Sequence, residues 1–463
     1  MNLEQLRKQA KELARAARVG DEQAIARVRA GAHAPVRERI ALADAQLTLA
    51  REAGYLNWPA LVLATEADAE AFVLAATDRR RSRAEALLAA RPEIEQDPWA
   101  RLVLGRDWAG DPNEPSGPRG WAPLLYVCHS CFASAQLARQ LLERGADPNA
   151  TFRNEHGAMS ALYGAAGIAH DPELTYVLLE AGADPNDGES LYHATEAEDP
   201  TCLRLLLEHG AETRGTNALA HALDDDRLEH IRLLLEAGAD PNEGALVAHA
   251  VRRGRGPEFL RLLARYGADL DRTGGETWRG PIPLRTPYQH AVLRNRKDQM
   301  GSLLELGASG NALMEDWVVA SVARGERPDA PLPPNLDPDA QEVLILAALD
   351  GKLDAVVDAV GVDFRGVVGG SPRGSLLQHA AWVGDPTVLD ELLRRGADPG
   401  TGSDSALAWA AHGSQNNHDA QADHAAVARL LVAAGSTVEP RFLDEADGAL
   451  YNWLAEQLGP REE

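Results

Sequence analysis

Three groups of residues have types and spacings that chemistry uses. Cys128-His129-Ser130-Cys131 has the C-x-x-C spacing of a redox or zinc pair. Structural zinc takes four ligands, and the sequence holds no second pair. A small buried thiol pair is the competing reading. His412 to His424 gathers His412, His418, Asp419, Asp423 and His424 in one polar stretch. That spacing matches no standard zinc pattern, and a solvated turn explains it more simply. The third group is a recurrence of imidazoles at His193, His221, His249, His290 and His379. No G-x-S-x-G, H-E-x-x-H, P-loop or dinucleotide fingerprint is present. The expectation is a chain without catalytic, metal or cofactor residues.

Composition narrows the class. The 463 residues are 45% hydrophobic but only 5% aromatic, which excludes a wholly disordered chain and suits closely packed helices. Asp and Glu number 70 against 46 Lys and Arg, a formal charge of −24. A field of that sign repels phosphate backbones and steers basic partners inward. The bland reading is that acidity only keeps a long chain soluble. Three cysteines are too few for a disulfide framework and suit a reducing compartment. Met1 to Lys8 mixes charge into an amphipathic pattern without a signal-peptide core, and no apolar run reaches the roughly 20 residues a bilayer needs. A cytoplasmic protein is expected, with neither nucleic acid nor membrane as a partner.

What must position these residues is a repeat. Leu141-Leu142-Glu143-Arg144-Gly145-Ala146-Asp147-Pro148-Asn149 returns almost unchanged at Leu178–Asn186 and Leu234–Asn242. Weaker copies surround Gly210, Gly267, Gly307, Gly396 and Gly435. From Gly145 to Gly307 the glycines fall 37, 28, 28, 29 and 40 residues apart. The Leu pair ends an outer helix, Gly closes it in the left-handed region, Asp caps the next turn and Pro stops the helix. The other half-motif opens an inner helix. Thr286-Pro287-Tyr288-Gln289-His290-Ala291 is its fullest copy, with degenerate ones at Ala122-Pro123-Leu124-Leu125, Ser190–Ala194, Asn217–Ala222 and Ser375–Ala381. With both half-motifs recurring, residues from Gly117 to Glu439 resemble bacterial ankyrin-repeat proteins. The resemblance implies an all-α solenoid of stacked helix-turn-helix repeats of about 33 residues. Several copies depart from it by lacking Thr-Pro or by placing Tyr, Ala or Gln where the family has His.

On that frame one inner-helix position holds Tyr126, Gly164, His193, His221, His249, His290, His379 and Trp409. Two residues beyond a buried Leu is about 200° round a helix, which aims the stripe toward the concave side. The functional reading is a partner-binding strip that titrates between pH 5 and 8. The structural reading, which is favoured, is that each ring bonds a neighbour. The long connection Asp271 to Arg285 carries Trp278 and Arg279 on a projecting finger, residue types that suit a binding hot spot. Asp224-Asp225-Asp226 reads as the cap of the helix that follows it, and Arg79-Arg80-Arg81 as a solvated face.

Five segments follow from the punctuation. Residues 1–118 read as a divergent helical N-terminal cap, with a separate module as the alternative. Within them helices are expected at Leu3–Arg18, to about Arg29, over Val36–Ala53, from Asn57 and twice in Ala67–Ala90, with Asp107–Arg119 a linker. Repeats occupy 119–326, and five prolines between Arg327 and Pro338 make 327–339 a linker. Repeats resume over 340–439, the first one degenerate, and 440–463 forms a capping helix. The function expected is a non-catalytic scaffold or adaptor that takes a protein or peptide, a basic one by preference, on its concave face and finger loops. The alternative is a small-molecule or pH sensor built on the histidine stripe.

Overall fold

The computed structural model describes residues 3–32, 40–155, 157–273, 276–277, 280–281, 284–369, 372–417, 419–443, 445–446 and 448–458. The chain forms two compact units, Met1–Ala239 and Asp240–Glu463. The fold class is all-α: stacked helix pairs with three two-stranded antiparallel ribbons between them among the described residues.

The recurring phrase does locally what its residues dictate. Gly145, Gly182, Gly210, Gly238, Gly267, Gly307, Gly396 and Gly435 all take φ between 87° and 104°, the left-handed closure of an outer helix. The Asp two residues on then caps the turn. Asp147, Asp184 and Asp240 accept from the backbone N–H of Asn149, Asn186 and Asn242 at 2.8–2.9 Å.

In the first unit α1 (Leu3–Arg18), α2 (Glu22–Ala32), α3 (Leu42–Glu52) and α4 (Trp58–Glu66) pack as a small helical group. The third helix begins at Leu42, later than the sequence pattern indicates, and residues 33–39 lie outside the described residues. Next come α5 (Ala69–Thr77), α6 (Arg81–Ala90) and α7 (Pro98–Val103). The inner row then runs α8 (Pro123–His129), the wide helical turn Tyr163–Ala169, α11 (Ser190–His193) and α13 (Ala218–Asp224). The outer row runs α9 (Ala135–Glu143), α10 (Pro172–Glu180), α12 (Thr201–Glu208) and α14 (Leu228–Glu236). A ribbon, β1 (Thr151–Asn154) with β2 (Gly157–Ser160), precedes the second inner element.

A ladder of asparagines joins successive repeats. Asn149 Nδ2 donates to the Gly182 carbonyl at 3.1 Å, while its Oδ1 accepts from the Asp184 N–H at 2.7 Å. Asn186 repeats this on Gly210 and Glu212 at 3.3 and 2.7 Å. Asn113 does so on Gly145 and Asp147 at 2.7 and 2.8 Å. Asp111-Pro112-Asn113 is therefore a copy of the phrase, inside a stretch the sequence marks as a linker. The phrase thus starts before residue 119, because Asn113 already bonds the next repeat.

In the second unit Asn242 makes the same pair of bonds to Gly267 and Asp269, at 3.0 and 2.7 Å. Asp271 takes the Asn role in the following repeat, accepting from the Ser309 N–H and hydroxyl at 2.9–3.0 Å. Helix pairs here are α15 (Leu246–Arg252) with α16 (Pro257–Arg265) and α17 (Pro287–Leu293) with α18 (Lys297–Leu306). The finger between them carries a short ribbon, β3 (Glu276–Thr277) with β4 (Gly280–Pro281). Helix α19 (Met314–Ala323) stacks on α17 but is followed by the Pro-rich stretch rather than by an outer helix. Next come α20 (Pro338–Ala347), α21 (Leu353–Val360), the ribbon β5 (Arg365–Gly366) with β6 (Gly374–Ser375), α22 (Leu376–Val383) and α23 (Pro386–Arg394). The unit ends with α24 (Ala406–Asn416), α25 (His424–Ala433), a short turn Pro440–Leu443 and α26 (Gly448–Leu458). Among the described residues, the capping helix expected over 440–463 is thus a short turn followed by a helix.

Where the Pro-rich stretch ends, Asp337-Pro338-Asp339 carries carboxylates into the inner row. Asp339, buried, meets Arg294 Nη2 at 2.9 Å, His290 Nδ1 at 3.0 Å and Arg252 Nε at 3.2 Å. Asp337 pairs with Arg285 at 2.6 Å, and Arg285 also meets the fully buried Asp316 at 2.9 Å. These pairs tie the start of α20 to α15, α17 and α19. His290 and the guanidinium groups beside Asp339 hold its carboxyl well below the usual carboxylate range despite burial.

Asp224 ends α13, Asp226 adopts φ 62°, and the residue before α14 is Arg227, with no side-chain cap. Asp224–Asp226 therefore ends one helix rather than capping the next. Arg79 Nη1 donates to the Ser130 carbonyl at 3.1 Å, and Arg81 lies over the Phe132 ring at 4.7 Å. Those two arginines bridge elements; they do not form a purely solvated face.

Candidate partner-binding surface

The histidine stripe divides once its neighbours are in place. A residue 200° from the buried Leu points sideways, and in a stack the sideways direction is filled by the next inner helix. Tyr126 is fully buried; its hydroxyl accepts from the Arg119 N–H at 2.7 Å and donates to the Ser116 carbonyl at 2.9 Å. His249, His290 and His379 are also buried. His290 faces Asp339, and His379 Nε2 lies 3.2 Å from the Gly366 carbonyl. Burial drives His290 down to about 4 and lowers His379 as well. These four rings are inside the stack rather than on the surface the spacing suggests.

His193, His221 and Trp409 remain half-exposed. His193 lies between Glu196 (2.7 Å) and Glu189 (3.3 Å), and His221 Nδ1 is 2.8 Å from the Thr195 hydroxyl. Trp278 and Arg279 fall outside the described residues.

What the stripe missed is a continuous aromatic rail in the first unit. Trp108 packs on Trp99, Trp99 on Tyr126 and Tyr126 on Trp121, at 4.4, 5.0 and 5.4 Å between ring centres. Trp121 stacks on Phe152 at 3.9 Å, and His129 touches Trp121, Phe152 and Tyr163. Tyr163 leads to His193 at 5.2 Å, His193 to Tyr192 at 4.9 Å, and Tyr192 stacks on His221 at 4.1 Å. Of these, Trp99, Trp108, Trp121, Phe152, Tyr163, Tyr192, His193 and His221 are half-exposed.

Two glycines let the rail close up. A Cβ on Gly164 would lie 2.8 Å from the His129 ring, and one on Gly167 would lie 2.7 Å from the Tyr163 ring. His129 is the buried hinge of the row. Its Nε2 bonds the Ser160 carbonyl at 2.9 Å, and burial drives it down to about 4.

The rail is rimmed by negative charge. Tyr163 and Tyr192 are pushed up first by burial, then by Asp187, Glu189 and Glu196 around the one and by Glu189, Glu196, Asp224 and Asp225 around the other. One guanidinium already uses the rail, since Arg119 lies over the Trp121 ring at 5.3 Å. Indole and phenol faces carry negative quadrupole charge, so such a surface attracts flat cations.

Among the described residues, those singled out for metal chemistry do not converge. Cys128, Cys131 and Cys202 are buried free thiols, all pushed up by burial, Cys202 to about 11. His412 lies on α24, which runs on to Asn416, while His424 is buried against the Trp382 carbonyl at 2.9 Å; His418 is outside the described residues. Among the described residues no three His, Cys, Asp or Glu side chains are placed to share a metal ion. None of the described helices is long and apolar enough to cross a membrane.

Residues 162–245 match the family model for ankyrin repeats, in three copies. An ankyrin repeat domain from Acinetobacter baumannii AYE is similar at 27% identity, covering 38% of this chain and 93% of that one, with a TM-score of 0.32. The ankyrin repeat domain of Bcl-3, a member of the IkappaB family, is similar at 24% identity, covering 38% and 82%, with a TM-score of 0.31. No curated protein matches the sequence. Ankyrin repeats are generally protein–protein interaction modules, and the family is typically non-catalytic.

Proposed function

Because this chain is an ankyrin-repeat protein, we propose that it is a non-catalytic interaction module that takes a basic, extended segment of a partner protein along the aromatic rail of its first unit. The observation that carries the reading is the half-exposed row Trp121, Phe152, Tyr163, Tyr192, His193 and His221, bordered by Asp187, Glu189, Glu196, Asp224 and Asp225. Each cation over such a ring contributes about 0.5–2 kcal/mol, and aromatic residues dominate interface hot spots. A net charge of −24 adds long-range steering of a positive partner. A preformed repeat frame loses little ordering entropy on binding. In a polyproline II segment every third side chain shares a face, about 9 Å apart. Packed helices repeat at about 8–10 Å, so Arg at every third position keeps register with the rail.

The N-terminal helices α1 to α4 act in this reading as the cap of the stack, and three free cysteines suit a cytoplasmic setting. A pH sensor built on the stripe has less support, because burial keeps His290 neutral down to about pH 4 and lowers His379 as well. The test is calorimetric titration of the full chain with three decapeptides. One has Arg at every third position, one has the same residues scrambled, and one has Glu replacing Arg. The first should bind tightest and the third not at all. Equal binding of the Arg and Glu peptides, or binding of neither, would refute the proposal.

A further inference from the structure

The second unit holds an aromatic-walled cavity that the rail does not explain. It encloses about 400 Å³ between α22, α24 and the segment leading into α26, at the small end of the range for ligand sites. Trp382 and Trp409 form two of its walls, with ring centres 6.3 Å apart and planes 75° to one another. His412, one turn beyond Trp409 on α24, supplies a third wall 5.1 Å from Trp382. Asp404 and Glu445 close the rim.

The box is held open by its supports. Trp409 is braced by the edge of His379 at 5.2 Å and by bare backbone at Gly374, where a Cβ would lie 2.6 Å from the indole. The Trp382 carbonyl accepts from His424 at 2.9 Å, and α24 approaches it so closely at Gly413 that a Cβ there would lie 2.3 Å away. Asp404 is oriented by Gln378 at 3.1 Å and by Arg365 at 3.3 Å. Glu445 forms no ion pair among the described residues, so the rim keeps a net negative charge.

We propose that this cavity is a binding site for a compact organic cation, an alkylammonium head lodged between the faces of Trp382 and Trp409 and neutralised by Glu445 and Asp404. Both indoles line the cavity with their planes 75° apart, and electron-rich ring surfaces on two sides suit a rounded cation better than a flat neutral ring. A bare inorganic ion is a poor fit, since ring faces do not replace its hydration shell and the walls offer few oxygen donors. The cation can be free or can be the end of a lysine-type side chain on a peptide, and the chemistry in the box is the same.

Calorimetry on the full chain separates these cases. The probes are choline, its neutral isostere 3,3-dimethyl-1-butanol, and a hexapeptide carrying one trimethyl-lysine. Choline or the peptide should bind saturably while the isostere binds far more weakly. The tighter of the two cations identifies the source. Trp382→Leu keeps an apolar wall but loses the π face, and should weaken cation binding roughly 2- to 30-fold. Glu445→Gln should weaken it roughly 2- to 5-fold. Glu445→Gln should keep the wild-type melting temperature, because Glu445 is exposed, and Trp382→Leu should still show one cooperative melting transition, because Trp382 is half-exposed. Equal affinity for choline and the isostere would overturn the proposal. So would no binding of either cation at millimolar concentration, or undiminished binding by a folded Trp382→Leu protein. Neither variant touches the first unit, so the outcome is independent of the rail.

Discussion

Replacing Asp339 by Ala should destabilise the second unit by about 3 kcal/mol, from the cost of breaking a buried ion pair by removing one partner. The side chain is only 2% exposed and meets Arg294, His290 and Arg252 within 3.2 Å. Removing the carboxylate strands two guanidinium groups and an imidazole. The range for such a loss is about 3–5 kcal/mol. The lower end applies because Arg294 keeps Glu342 at 3.0 Å and Arg252 remains 25% exposed. Asp339→Asn keeps the shape and one acceptor, and should cost about 1.5–3 kcal/mol, the value of hydrogen bonds to a charged group. Urea unfolding followed by hydrogen exchange over α17 and α20 separates this unit from the first. Because the Asp339 carboxyl is held below its ordinary value, its contribution should be unchanged from pH 7 to about pH 5 and decline as the pH falls further. A loss below about 1 kcal/mol for the Ala variant, or unchanged exchange protection in α20, would show that the cluster does not tie the Pro-rich stretch to the inner row.

Three further outcomes are expected. Asn149→Ala removes two inter-repeat hydrogen bonds, so denaturant unfolding should register a loss of about 1–3 kcal/mol. Gly164→Ala drives a methyl to within 2.8 Å of His129; the melting temperature should fall by the equivalent of about 1–3 kcal/mol, as for an overpacked core. With His230, which is lowered likewise, His129 sets the acid limb of the first unit: its pKa drops from the ordinary 6.5 to about 4 on folding. Its neutral form contributes fully above pH 6.5 and is progressively lost as pH falls toward 4, by up to about 3 kcal/mol. Urea midpoints of the first unit at pH 7, 5.5 and 4 should decline in that order, and should decline less in His129→Gln.

Much of the frame was legible because its signals are local. Gly145, Asp147 and Pro148 each act on their own turn, so their order in the sequence is their order in the structure. The role of the Asn at the end of the phrase is not legible in the sequence, because it bonds backbone atoms of the next repeat, and side-chain patterns do not display backbone groups. The copy at Asp111–Asn113 was missed because no Leu-Leu pair precedes it. The stripe failed differently. Angular position on one helix gives a direction, but whether that direction meets solvent depends on the next helix, and for Tyr126, His249, His290 and His379 it does not. The aromatic rail draws its members from unrelated positions: Trp121 before α8, Phe152 on β1, Tyr163 in a wide turn and Tyr192 on α11. No single sequence register contains them, and only the stacking of repeats brings them together.

The most direct test of the basic-segment reading is the affinity of the Arg-every-third peptide for three forms of the full chain. They are the wild type, a double variant Tyr192→Leu with Glu196→Gln on the rail, and Tyr176→Leu on outer helix α10, where that ring is 45% exposed. The rail variant should bind roughly 3- to 150-fold more weakly, the sum of one cation–π contact and one rim charge, while the outer variant should match the wild type. Equal weakening by both, or none by the rail variant, would contradict it.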